Sequence, residues 1–216
     1  LVVALDEARY RTFTYVEMRY FSMWWLDKHL DESVKDKIES FLQSSNPQLS
    51  FVNGGWSMAD EATTHFIGMI DNMQTGHHFL KAEFNYVPNI AWQIDDFGHS
   101  STQASLMTSK MGMDALYFGR IDYQDLEKRK KEKETEGLWQ GSAAMPDDTT
   151  VFWGLTGSYG GNYGAPKGFN FNTGLDNADS KDDPLLQNLT WPERRDRIAN
   201  KLFPQLAEQA SQTIGN

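Results

Sequence analysis

The residues best suited to chemistry stand at the ends of short apolar runs. Thr12 to Met18 (TFTYVEM) ends near Glu17, and Leu49 to Gly55 (LSFVNGG) leads into Trp56. Asn89 to Asp95 (NIAWQID) delivers Asp95 and continues through Asp96 to His99, while Ala115 to Ile121 (ALYFGRI) delivers Arg120 and then Asp122. Carboxylate, imidazole, guanidinium and indole in these places are the groups that attack, transfer protons, bind divalent cations and support sugar rings. Asp95 and His99 read either as metal ligands or an acid/base pair, or as a helix cap and a histidine that satisfies a buried carbonyl. Gly54 and Gly55 permit positive φ and close backbone approach, and Trp56 beside them offers a flat apolar surface. Asp60 and Glu61 are expected to open the next helix, where negative charge suits the positive end of the dipole. Arg120 reads equally as half of a structural ion pair or as the group that orients a carboxylate in a site. His77 falls on an apolar helical row and reads as a hydrogen-bonded core histidine, with His78 exposed; neither is a ligand candidate.

Parallel α/β architecture puts such groups together, because the loops at the carboxyl ends of its strands surround one crevice. The four runs are β-branched or aromatic and bounded by turn formers, so they read as strands. Between them, Phe21, Trp24, Trp25, Val34, Ile38, Phe41 and Leu42 keep mostly three- and four-residue steps, as do Ala62, Phe66, Met69, Ile70, Met73, Leu80 and Phe84 after Met58. Shorter helices are expected over 101–111 and 126–136, the second with Glu/Lys pairs on a solvated face. Alternation of this kind predicts right-handed crossovers and a mainly parallel sheet with helices on both faces. GLWQGS and VFWGLT read as further strands. A long Gly/Asn-rich loop follows over 157–190, and a final helix is expected from Trp191, with Pro192 in its first turn. There is no internal repeat.

At 216 residues the chain corresponds to about 1.4 average domains, so one domain is expected. A net charge of −10 repels phosphate backbones and argues against nucleic acid as a partner. The absence of cysteine excludes disulfides, thiolate zinc sites and a cysteine nucleophile, leaving His and carboxylates as metal ligands. No apolar run approaches the ~20 residues of a membrane span. The opening LVVALDEARYRTF is too short and too charged for a signal peptide and resembles the end of an amphipathic helix, so the chain is expected to begin inside a longer protein.

FVNGGWSMADEATTH, AWQIDDFGHSSTQASL and FGRIDYQD, in this order and at these spacings, resemble glycoside hydrolase family 38, in particular its lysosomal-type and plant-type class II α-mannosidases. YVEMRYFSMWW at Tyr15 to Trp25 and YGAPKGFNFN at Tyr163 to Asn172 extend the resemblance over nearly the whole chain. It implies part of a single α/β catalytic domain, truncated at both ends and built like the family's incomplete (β/α)7-type barrel. It also implies a zinc-dependent retaining exo-α-mannosidase that removes terminal α-linked mannose from N-glycans or oligomannosides through a covalent glycosyl-Asp intermediate.

The aspartate of the family's WQIDPFGHS motif is both nucleophile and zinc ligand, and both roles fall on Asp95. Asp96 replaces the family proline; a second carboxylate there either raises the nucleophile's pKa by like-charge repulsion or points away. Arg120 matches the arginine that positions the nucleophile. Trp56, Tyr163 and its rival Tyr159 are expected against substrate, with Asp60, Glu61, Asp96 and His99 supporting the site from behind. The remaining zinc ligands and the acid/base carboxylate are expected outside this chain, and the fragment alone is expected to be inactive. The implied partners are mannose-containing glycans, with any oligomer formed through parts outside the chain, and the implied setting is a lysosome or vacuole, or secretion. The sequon Asn188-Leu189-Thr190 agrees with that route. Two alternatives share these features: a carbohydrate-binding protein without catalysis, and a metal-dependent polysaccharide deacetylase.

Overall fold

A computed structural model describes residues 1–156 and, beyond them, positions 192, 196, 200, 204, 207, 208 and 211. Those seven positions all have helical backbone, within the stretch expected to form the last helix. The 157–190 loop, Tyr159, Tyr163 and the Asn188 sequon lie outside the described residues.

The elements run α1 (Val2–Asp6), β1 (Phe13–Tyr15), α2 (Met18–Trp25), α3 (Glu32–Gln43), β2 (Leu49–Phe51), α4 (Phe66–Phe84), β3 (Ile90–Gln93), α5 (Ser101–Ser109), β4 (Ala115–Phe118), α6 (Tyr123–Glu132), β5 (Glu136–Gln140), α7 (Pro146–Thr149) and β6 (Thr150–Leu155). The architecture is mixed α/β with mostly parallel sheets. β1 and β2 pair in parallel, with Phe13 opposite Leu49 and Tyr15 opposite Phe51. A second sheet has the order β3-β4-β6-β5. The chain divides into two compact units, one of residues 1–93, 99–116 and 140–151, the other of 94–98, 117–139 and 152 onward.

The core of the first unit is aromatic. The three- and four-residue steps of α2 bury Met18, Phe21 and Trp25 on one face, and α3 buries Ile38 and Phe41. These residues meet Leu49 and Phe51 of β2 and Leu80 of α4. Phe21 stands edge-on to Phe51 at 5.1 Å, and Trp25 meets Phe84 at 4.6 Å while its Nε1–H donates to Glu83 at 2.8 Å. Each such ring contributes about 1.5–3 kcal/mol by leaving water. In the second unit, Phe118 stacks on Trp153 at 5.5 Å and the Arg129 guanidinium lies 5.1 Å from that indole.

Element boundaries depart from the apolar rows where a side chain intercepts the backbone. α4 begins at Phe66, not near Met58, because the Asp60 carboxylate first takes the amides of Ala62 and Thr63 at 2.8 and 3.3 Å in a separate turn. His65 Nδ1 then caps the helix by accepting from the Ile67 amide. Asp60 and Glu61 therefore do not open this helix, contrary to the sequence expectation. α6 starts at Tyr123, not Leu126, since Asp122 accepts the amides of Gln124 and Asp125 at 2.9 and 3.1 Å. It ends before 136 because Lys133 adopts the left-handed cap. Ser100, not Asp95, caps α5.

Close backbone packing fixes the segment after β2. A Cβ on Gly76 of α4 would lie 1.9 Å from the Gly54 carbonyl oxygen, so helix and loop touch main chain to main chain. Gly76→Ala is expected to cost about 1–3 kcal/mol or more by overpacking, read by denaturant unfolding. Hydrogen bonds from Ser33 hold the Asp31 carboxyl at the start of α3 below its ordinary value. A depressed carboxyl stabilises above its unfolded pKa and loses that contribution as pH falls through the folded one. The melting-temperature gap between the parent and Asp31→Ala is therefore expected to be full at neutral pH and to close below that depressed value.

Candidate functional site

Two residues past the end of β2, β3 and β4, the backbone enters the left-handed region at Asn53 (φ 59°), Asp95 (φ 71°) and Arg120 (φ 59°). Among the described residues, the other non-glycine residues with positive φ, Asn85 and Lys133, are helix C-caps with a standard local reason for that geometry. A non-glycine residue held there away from a cap costs on the order of 1–3 kcal/mol and marks a position where side-chain direction matters more than backbone comfort.

In the second unit, Asp95 and Arg120 form an ion pair, Oδ1 to Nη2, with side-chain exposures of 53% and 28%. A pair this exposed contributes about 0–1 kcal/mol, so orientation rather than stability is its consequence. The face of the Arg120 guanidinium lies 4.4 Å from the ring centroid of Phe97. Phe97, Gly98, Arg120, Ile121 and Asp122 line a pocket of about 470 Å³. Asp96, the neighbour of Asp95, is only 6% exposed. Of the two adjacent carboxylates, Asp95 is the accessible one and the one paired with arginine.

In the first unit, the Glu61 carboxylate is nearly buried and accepts from His99 Nδ1 at 3.1 Å and from the Ser100 amide at 2.6 Å. Both its oxygens thus hold the start of α5. Asp60 is exposed, and hydrogen bonds from the Ala62 amide, then from Thr63, lower its pKa. Trp56 is half-buried against the aromatic core, with Phe79 at 6.3 Å and the Arg19 guanidinium 5.6 Å from its ring. Asn53 is buried: its amide donates to the Ile90 carbonyl at 2.7 Å, and its Oδ1 accepts from the Trp92 amide at 3.3 Å. The Asn53 carbonyl faces His77 Nε2 at 2.8 Å, so His77 is a hydrogen-bonded histidine at the core's margin. Glu17 accepts the Met58 amide at 2.8 Å.

Asn53 falls at the end of the second strand, among the positions that the sequence marks as candidates, whereas Phe97 is not singled out by residue type and spacing. Phe97 carried one signal, an aromatic that falls on no apolar row and precedes a glycine.

The donor chemistry suits a divalent cation. Asp95 presents a half-exposed carboxylate at a strand end, a hard oxygen donor of the kind zinc accepts beside imidazole. Glu61, Asp96 and His99 carry further oxygen and imidazole donors of ligand type. Among the described residues no helix is long and apolar enough to cross a membrane.

Comparison with known proteins gives the family. The profile of the glycosyl hydrolases family 38 N-terminal domain matches residues 1–207. An alpha-mannosidase of Arabidopsis thaliana is 43% identical over 90% of the chain, covering 18% of its own length. The alpha-mannosidase of Canavalia ensiformis is 42% identical over 90% of the chain and 19% of its own length. The lysosomal alpha-mannosidase of Mus musculus is 42% identical over 77% of the chain and 16% of its own length. The chain thus spans under a fifth of the length of these relatives. In fold it is similar to the crystal structure of an alpha-mannosidase from Enterococcus faecalis V583, with TM-score 0.50 and 16% identity over 71% of this chain and 16% of that one. With the family profile covering nearly every residue and sequence identity above 40% to plant and animal members, the chain belongs to glycoside hydrolase family 38, within its N-terminal domain.

Proposed function

We propose that the chain is the nucleophile-bearing part of a retaining exo-α-mannosidase acting on terminal α-linked mannose of N-glycans or oligomannosides. The observation that carries this reading is the exposed Asp95 carboxylate, aimed by a left-handed backbone turn and held by Arg120 beside an open pocket.

A retaining reaction needs one carboxylate to attack the anomeric carbon and a second carboxyl group about 5–5.5 Å away to protonate the leaving oxygen. Asp95 is the attacker. One of its oxygens forms a bond to the anomeric carbon as the bond to the departing glycosidic oxygen breaks, leaving mannose as an ester on Asp95. Water, deprotonated by the second carboxyl group, then attacks the same carbon and releases mannose and the free Asp95 carboxylate. Arg120 fixes the carboxylate's rotamer, so little reorganisation precedes attack. Asp95 would hold a zinc ion, which when bound would supply Lewis acidity. Asp96, Glu61 and His99 support the loop that carries the nucleophile. Trp56, Tyr159 and Tyr163 give the sugar aromatic surface. The plant and lysosomal relatives and the Asn188 sequon support an N-glycosylated enzyme of the lysosome, vacuole or secretory route. Family membership favours this hydrolase over a deacetylase.

Release of nitrophenol from an α-mannoside by the full-length protein tests the reading. Asp95→Ala is expected to lower kcat by about a thousandfold or more, as loss of a nucleophile does in other enzymes with covalent intermediates; sugar binding with no hydrolysis in the parent protein would instead support a lectin-like role. Arg120→Lys keeps the charge and loses the planar fork, and a fall of about tenfold to a hundredfold in kcat/KM is expected. Dialysis against a chelator is expected to remove activity and added zinc to restore it; full activity after metal removal would exclude the metal from the reaction.

A further inference from the structure

We infer that Phe97 is a positioning residue whose ring holds the Arg120 guanidinium in the pose from which it pairs with Asp95. The inference rests on the proposed role of Asp95 for its catalytic consequence, but not for the contact itself.

Guanidinium offers two separate surfaces. Its N–H donors lie in the plane and suit a carboxylate, while its faces suit an aromatic ring. Arg120 meets both kinds of partner: its Nη2 pairs with Asp95 Oδ1, and its guanidinium carbon lies over the Phe97 ring, 4.4 Å from the centroid. Phe97 is 79% exposed, so its ring contributes little to the core, and it lies against this cation. The backbone is bent to allow this. Asp95 is left-handed, Asp96 turns inward, and Gly98 sits at φ 134°, a conformation side chains rarely adopt. A Cβ on Gly98 would meet nothing within 4 Å, so glycine is required there for its backbone angle and not for space. The loop thus returns Phe97 to the surface two residues after Asp95. Arginine loses rotamer freedom when it engages a carboxylate, and a ring that restricts it beforehand reduces that loss.

Two measurements test this in the full-length protein. In spectra of protein labelled with 15N-arginine, the Arg120 Nε–H signal, assigned by its absence in Arg120→Lys, is expected to carry a ring-current shift that disappears in Phe97→Leu and persists in Phe97→Tyr. An unchanged signal in Phe97→Leu would overturn the inference whether or not the protein is active. In kinetics, Phe97→Leu is expected to lower kcat by about twofold to fivefold with KM little changed, the size of an exposed cation–π contact, and Phe97→Tyr to restore it. In an Arg120→Lys background the same substitution is expected to have a smaller effect. An effect on KM alone, or an equal loss in both backgrounds, would assign Phe97 to direct substrate contact and overturn the positioning role. Retained activity in Asp95→Ala would remove the nucleophile reading instead, with the arginine spectrum still deciding for Phe97.

Discussion

The ion pair between Asp95 and Arg120 is the contact on which the proposed functional geometry depends, and it is energetically slight. Both side chains are substantially open to water, so their attraction is worth about a kilocalorie at most. Both also sit on backbone that costs more than that to hold in the left-handed region. A carboxylate and a guanidinium kept together under such terms are being aimed, and the energy that aims them must come from elsewhere in the fold.

Each unit has its own frame of rings. In the first unit, Phe21, Trp25, Phe51 and Phe84 pack with centroid separations of 4.6 to 6.3 Å, and their burial gives β1, β2 and α2 a fixed frame. Asn53 transmits that order to β3 through bonds at its amide and its side-chain oxygen. In the second unit the Phe118 and Trp153 stack anchors the end of β4, two residues before Arg120. Rigid strands followed by strained single residues form a common scheme for holding a reactive group still.

Much of this was legible in the sequence. Among the described residues, the strands and most helices follow from apolar runs and periodicity, and Asp95 and Arg120 were visible because each ends an apolar run where a merely solvated charge needs no such support. Boundaries were less legible, since apolar rows do not encode which side chain intercepts an amide; Asp60, His65 and Asp122 set the starts of α4 and α6 by doing so. Helix-dipole reasoning likewise gave Glu61 a local role, whereas its partners His99 and Ser100 lie 38 and 39 residues away. Phe97 escaped notice because an exposed aromatic has no periodic signature, and its partner belongs to a different strand end.

The Glu61 bridge to His99 and Ser100 bears on the order in which the chain acquires its shape. Closing a loop of nearly forty residues carries an entropic cost that a single carboxylate cannot offset early, when α4 and β3 are still fluctuating. The start of α5 is therefore tied to a distant part of the chain, and its order depends on the intervening helix and strand being docked.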